Sequence, residues 1–243
     1  MRFSHITIMD IPIYNRSQEE AFKIFIRFSK ENRVRTIYTP NTEMVMMAQE
    51  DPEFKEILKR SDLNLPDGIG LKLFARIHGL NLAEKIAGVE FMERILDFCE
   101  KTEVKIYLLG GAEGVAEEAA RLIVQQYPHV RVVGTQHGYF QKEDEPHVID
   151  AINEASPNIL FVGLGAPRQE KWIHLNKRFL DAEVVMGVGG SIDVFAKKVK
   201  RAPPIFINLG LEWLYRLLKQ PSRIKRMARL PRFILIALYQ RFF

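Results

Sequence analysis

The chain has 243 residues, 47% apolar and 27% charged, which suits a globular protein of one large or two small domains with a sizeable core. Its single cysteine, Cys99, excludes a disulfide framework, fits a reducing compartment, and reads as a small buried hydrophobe on an apolar helix face. The net charge of +5 is unevenly placed: twelve Lys/Arg and one acid, Glu212, follow residue 196, so a mildly acidic body carries a strongly basic tail. Such a tail calls for an anionic partner: nucleic acid, anionic lipid or a phosphorylated ligand.

The first half alternates helices with short extended pieces. No basic patch followed by an apolar run opens it, so nothing there points to export. Ser17-x-x-Glu20 is a capping box opening an amphipathic helix, with Phe22, Phe25, Ile26 and Phe28 on or near one face. Residues 34–38 read as a strand ending at the turn Thr39-Pro40-Asn41. Asp51-Pro52 starts another helix, with proline at its first position. Residues 63–65 form a short extended piece closed by Pro66-Asp67-Gly68, a strong turn signal. Helical patterns follow at 69–77 and 89–99.

The second half repeats a simple theme. A strand at 104–109 ends in Gly110-Gly111, and a helix runs from about 115 to 127. A strand at 130–133 ends in Gly134. A helix near 146–155 leads to a strand at 159–162, a helix over 169–179 and a strand at 184–186. Apolar strands alternating with helices of this length mean an α/β, Rossmann-like and mostly parallel sheet covered by helices on both faces. Ligands of such sheets sit at the carboxyl ends of the strands, where these glycines cluster. There is no internal repeat and no low-complexity linker. Two units are expected: an α/β body over 1–196 and a helical basic C-terminal appendage over 197–243.

That appendage differs in kind. Leu211, Trp213, Leu214, Tyr215 and Leu218 mix with Arg216 and Lys219 before Pro221. Ser222 is suited to cap a second short helix carrying Arg223, Lys225, Arg226 and Arg229, which Pro231 is expected to break. The longest apolar run in the closing stretch, 233–239, is far below the ~20 residues of a spanning helix. Cationic, aromatic and leucine-rich helices without spanning length mark an interfacial membrane segment.

Two glycine-ended blocks carry the most chemistry. One is Phe161-Val-Gly-Leu-Gly-Ala-Pro-Arg-Gln-Glu-Lys-Trp172. The other is Gly187-Val-Gly-Gly-Ser-Ile-Asp-Val-Phe195, with Arg201-Ala-Pro203 shortly after it. In each, an apolar strand breaks into glycines and then a polar helix start, which brings bare backbone N–H groups close to a bound anion. Neither is a dinucleotide fingerprint, because Arg168 and Ile192 stand where its third glycine belongs. A nucleotide or sugar phosphate is therefore the expected ligand, in contact with Gly165 and Gly189. Gln169, beside Arg168, is placed to address a diphosphate. Asp193 either hydrogen-bonds ribose, base or sugar hydroxyls or caps a helix. Gly110-Gly111 and 134–140 are further strand-end loops, where Tyr139 either stacks on a base or packs and His137 is a lone loop histidine. Thr39 and Asn41 present a hydroxyl and an amide at a strand end, or cap the next helix. Asp67, between proline and glycine, suits a plain turn as well as a site.

Together the two blocks closely resemble the WecG/TagA/CpsF glycosyltransferases, a bacterial family that extends lipid-linked cell-surface sugars. The resemblance runs from about residue 6 to about residue 230. It implies that the segments holding Thr39, Asn41 and Asp67 face one another across the active cleft, with Asp67 as general base for the attacking sugar hydroxyl. It implies positioning roles for Thr39, Asn41 and Gln169. It places Lys85 where the family usually has arginine, which keeps the charge and loses the bidentate grip on phosphate. It also makes Arg216, Arg223 and Arg226 part of an appendage that folds over the site to hold phosphate charge. The implied reaction is inverting transfer of N-acetylmannosamine from UDP-ManNAc to N-acetylglucosamine on undecaprenyl diphosphate, for the wall teichoic acid linkage unit. A family alternative uses UDP-ManNAcA for enterobacterial common antigen.

No Asp-x-Asp and no zinc-like His/Cys spacing is present, and Glu143-Asp144-Glu145 reads as a solvated face. The expectation is a transferase without metal or cofactor, in which backbone amides, helix ends and Lys/Arg meet the leaving-group charge. A Rossmann-like nucleic-acid binder with a basic arm would explain the tail's charge but not its leucine and aromatic content, so nucleic acid is not an expected partner. A cytoplasmic enzyme, peripheral on the inner face of the cell membrane, is expected, with homo-oligomerisation open because the tail exposes apolar surface.

Overall fold

The computed structural model of the protein describes residues 3–219 and 229–242. A hairpin comes first, β1 (His5–Ile8) against β2 (Ile11–Tyr14). Its two-residue turn, Met9-Asp10, has positive φ at both positions without a glycine, so nothing in the sequence announced it. Helix α1 (Gln18–Phe28) starts at the expected capping box: the Ser17 hydroxyl accepts from the Glu20 amide at 3.2 Å, and the Glu20 carboxylate accepts from the Ser17 amide at 3.4 Å. Phe25 and Phe28 are buried, while Phe22 and Ile26 pack at the edge of the core.

Six strands form one parallel sheet: β3 (Arg35–Tyr38), β4 (Leu63–Asn64), β5 (Lys105–Gly110), β6 (Arg131–Gln136), β7 (Ile159–Gly163) and β8 (Val184–Gly187). Their spatial order is β4-β3-β8-β7-β5-β6. Both faces are covered, which the apolar runs predicted. Along β7, Leu160 and Val162 belong to one core cluster, Ile159 and Phe161 to the other, as the two-residue period of a strand requires. The first face is covered by α2 (Thr42–Glu50), α3 (Pro52–Lys59), α4 (Ile69–Ile77), α7 (Glu145–Ala155) and α8 (Arg168–Asn176). The second is covered by α1, α5 (Gly88–Cys99), α6 (Val115–Gln126) and α9 (Ser191–Phe195). Asp51 caps α3 by accepting from the Phe54 amide at 3.0 Å, and Pro52 takes the first turn. Cys99 is buried in the second cluster, and burial pushes its thiol up to about 12.

In the sheet and the helices that cover it, two expectations change. The strand expected to end at Gly134 runs on to Gln136, because Gly134 passes a ring rather than ending the strand. A Cβ there would lie 2.3 Å from Tyr107 Cε2, so only glycine lets β6 pass β5. The helix expected over 169–179 ends at Asn176 and tightens into a 3-10 turn, Lys177–Phe179.

Helices α10 (Pro204–Asn208) and α11 (Glu212–Lys219) follow the body. The short helix expected after Ser222 lies outside the described residues. The C-terminal helix Arg229–Phe242 runs through Pro231 instead of breaking there. Proline is tolerated in the first turn, where its missing N–H has no partner to lose. This helix lies on α2 and α4: Phe233 and Ala237 are fully buried, and the Phe233 ring sits 5.5 Å from that of Phe74. Arg229 and Arg232 pair with Glu50 at 3.2 and 2.6 Å.

Candidate active site

At the carboxyl ends of the strands lies a cleft of about 470 Å³. One wall comes from the loops after β3 and β4, which are sewn together by backbone. The Leu65 amide donates to Tyr38 O at 2.8 Å, the Asp67 amide to Pro40 O at 3.0 Å, and the Ile86 amide to Pro66 O at 2.7 Å. Thr39, Asn41 and Asp67 therefore share one rigid wall and all line the cleft. Thr39 is buried against the start of α5, where a Cβ on Gly88 would reach its Oγ1 at 3.1 Å. Ala87, Gly88 and Val89 line the cleft beside it, and α5 has no side-chain cap, so its first amides face a space suited to an anion. Asn41 does cap a helix: its Oδ1 accepts from the Met44 amide at 3.0 Å.

The opposite wall holds the glycine blocks. Gly163, Gly165, Gly189, Gly190, Arg168, Gln169 and Asp193 line it. Asp193 stands in the first turn of α9 rather than at its cap, which is Gly190. Gln169 is only 3% exposed, and its polar atoms are engaged within the protein: Oε1 accepts from the Gly189 amide at 3.0 Å, and Nε2 donates to Glu170. Glu170, 0% exposed, is a buried acid that sequence reasoning passed over as part of a polar helix start. Burial pushes its carboxyl up to about 7, against the lowering effect of the Gln169 bond.

Gly111 lines the cleft floor, and its carbonyl accepts from the Gly138 amide at 2.8 Å. Gly110 does not line the cleft. It lies flush against β7, where a Cβ would fall 2.5 Å from Gly163 O. Tyr139 is 75% exposed at the rim, so it does not pack. A smaller cavity of about 310 Å³ lies on its far side, with His137, Asp144 and His147 in the lining. His137 Nδ1 accepts from the Tyr139 amide at 3.2 Å, a local loop contact. Lys85 is half-buried and is not part of the lining. Arg216 lies on α11, whose Glu212 reaches the cleft. The Arg216 side chain, Arg223 and Arg226 lie outside what the structure describes. The structure thus brings together Thr39, Asn41, Asp67, Gly111, Tyr139, Gly165, Gln169, Gly189 and Asp193.

Among the described lining residues, the acids Glu43, Asp67, Asp193 and Glu212 face a single strong cation, Arg168. Its guanidinium sits 5.3 Å above the Phe140 ring and donates to Phe140 O at 3.3 Å. A phosphorylated ligand in this cleft depends on backbone amides and on basic groups brought from elsewhere. Glu43, which the sequence did not suggest, pairs with Arg229 at 3.9 Å and so joins the cleft to the C-terminal helix. Among the described residues, no three His, Cys, Asp or Glu side chains gather as metal ligands do.

Comparison with known proteins points the same way. The model of the glycosyl transferase WecG/TagA/CpsF family matches residues 6–243. A Bacillus subtilis protein named N-acetylglucosaminyldiphosphoundecaprenol N-acetyl-beta-D-mannosaminyltransferase is 35% identical over 96% of this chain and 90% of its own length. Proteins of the same name from Bacillus spizizenii and Staphylococcus aureus are also 35% identical. They cover 84% and 88% of the chain, and 79% and 84% of their own lengths. With a match across almost its whole length and relatives at this identity, the chain belongs to the WecG/TagA/CpsF glycosyltransferase family.

Proposed function

We propose that this enzyme transfers N-acetylmannosamine from UDP-ManNAc to the N-acetylglucosamine of GlcNAc-diphosphoundecaprenol. The product is the β-linked ManNAc–GlcNAc lipid of the wall teichoic acid linkage unit. The observation that carries the reading is the backbone-sewn wall that holds Thr39, Asn41 and Asp67 opposite the glycine loops. The names of the relatives supply the sugar and the acceptor.

In this reading UDP-ManNAc lies along the glycine loops and the start of α5. Asp67 takes the proton of the acceptor hydroxyl as that oxygen attacks the anomeric carbon, while the bond to UDP breaks on the other face. One displacement inverts the anomeric centre. Thr39 and Asn41 position the sugars, and Arg168 with the appendage arginines Arg216, Arg223 and Arg226 meets the diphosphate charge. The acceptor's lipid tail stays in the membrane. The appendage rests on the inner membrane surface, a role that suits its twelve basic residues and its exposed Leu218, Leu235, Leu238 and Tyr239. Among the described residues no helix is long and apolar enough to cross a membrane.

The test is transfer of radiolabelled ManNAc from UDP-ManNAc to a short-chain lipid-diphosphate-GlcNAc. A labelled lipid disaccharide is expected. No product from UDP-ManNAc, with product from another UDP-sugar, would overturn the donor assignment.

A further inference from the structure

The two glycine loops are coupled through a pair of buried side chains. Gln169 accepts from the Gly189 amide with Oε1 and donates to Glu170 Oε1 with Nε2. Glu170 is 0% exposed, and its Oε2 has no hydrogen-bond partner among the described atoms. For folding alone this is a poor choice of residue. A buried carboxyl with an unsatisfied oxygen costs free energy that an apolar side chain of equal length avoids.

The acid has a geometric use. A glutamine amide fills the same space either way round, and the two orientations exchange a donor for an acceptor. With Oε1 toward the Gly189 amide, Nε2 needs an acceptor on its other side, and Glu170 is that acceptor. The flipped amide would set Nε2–H against the Gly189 N–H, donor against donor. The pair lies on bare backbone: a Cβ on Gly187 would approach Gln169 Nε2 to 2.9 Å and Glu170 Oε1 to 3.4 Å.

We propose that Glu170 is a positioning residue for the donor side of the cleft: as a buried acceptor it locks the Gln169 amide in the orientation that pins Gly189. It thereby holds the 187–190 loop in the shape that receives the donor phosphates. This rests on the transferase reading above.

The test uses the full chain with Glu170→Met, which keeps length and removes the acceptor, and Glu170→Gln, which retains an acceptor. The first readout is hydrogen exchange of the Gly189 amide in ligand-free protein. The second is UDP affinity with the KM values for donor and acceptor. In Glu170→Met, Gly189 should exchange about tenfold faster, and UDP affinity and donor KM should each worsen about tenfold, the scale of a small misplacement in a site. Acceptor KM should stay unchanged and the melting temperature should not fall. Glu170→Gln should behave as the parent does. Because the two side chains act as one unit, Gln169→Met and the double variant should match each other. Parental exchange and UDP affinity in Glu170→Met would overturn the proposal. So would a Gln variant as defective as the Met variant, or a Met variant that melts early. If the parent neither binds UDP nor transfers sugar, the transferase reading fails, and the exchange comparison still decides the role of Glu170.

Discussion

Asp67 sits on a turn whose backbone is already fixed, since its own amide is bonded to Pro40 O and the preceding Pro66 O receives the Ile86 amide. The backbone of the turn therefore stays bonded when the side chain changes. Asp67→Asn should lower turnover by roughly a hundred- to ten-thousand-fold, the usual worth of a general base, with UDP affinity and melting temperature unchanged. Turnover above a tenth of the parental rate would remove Asp67 from that role. Glu170 makes a different prediction. Its folded pKa of about 7 is above its ordinary value, so its contribution to stability is complete below pH ~4.5 and lost as pH rises through 7. The parent should lose on the order of 3 kcal/mol relative to Glu170→Gln between pH 5 and pH 8, read as diverging denaturant midpoints. Parallel midpoints across that range would show that the buried acid does not titrate there. At this scale the turns that carry Thr39 and Asp67 were legible because strand ends and turn chemistry mark themselves locally, whereas their place on one cleft wall was implied only by the family resemblance. Asn41 declared both of its possible uses, and the cap is the one the structure shows. The engagement of Gln169 was not legible, because its partner amide belongs to Gly189, twenty residues on and across a strand.

Helices and strands followed the sequence where period and punctuation agreed. The capping box at Ser17 and the Asp51-Pro52 start both appear as expected. The hairpin β1–β2 escaped because Met9-Asp10 adopts positive φ without the glycine that usually announces such a turn. Gly134 misled in the other direction: a glycine required by the Tyr107 ring looks, in sequence, like a strand end. The C-terminal helix is the larger lesson. Its composition speaks of a membrane surface, and the structure buries Phe233 and Ala237 of the same helix in the protein core. One amphipathic helix has both an inward apolar row and outward apolar residues, and composition does not separate them. Phe233→Ala should cost about 3–5 kcal/mol of local stability. It should appear as faster hydrogen exchange over 229–242 and early proteolysis there, while the sheet keeps its protection. Uniform loss across the chain would make the helix part of one cooperative core.

On the scale of the molecule, acids predominate among the described residues of the cleft at the carboxyl ends of the sheet, and the basic C-terminal helix lies across α2 and α4. Charge reversal separates anchoring from catalysis. On a soluble short-chain acceptor, which needs no membrane, Arg216→Glu, Arg223→Glu and Arg226→Glu should each lose most activity. Full activity of all three would reduce the appendage to an anchor. Vesicle binding should weaken by about 1 kcal/mol per basic residue removed. Transfer should survive excess EDTA, and loss on chelation that Mg²⁺ restores would overturn the metal-free reading. Gly110 lies against Gly163, and a Cβ on Gly163 would meet Gly189 O at 2.7 Å, so bare backbone is stacked across neighbouring strands and loops. A side chain introduced at Gly110 or Gly163 would displace this backbone before it altered a ligand. Room for a different side chain lies instead on the exposed margin of the cleft, at positions such as Tyr139.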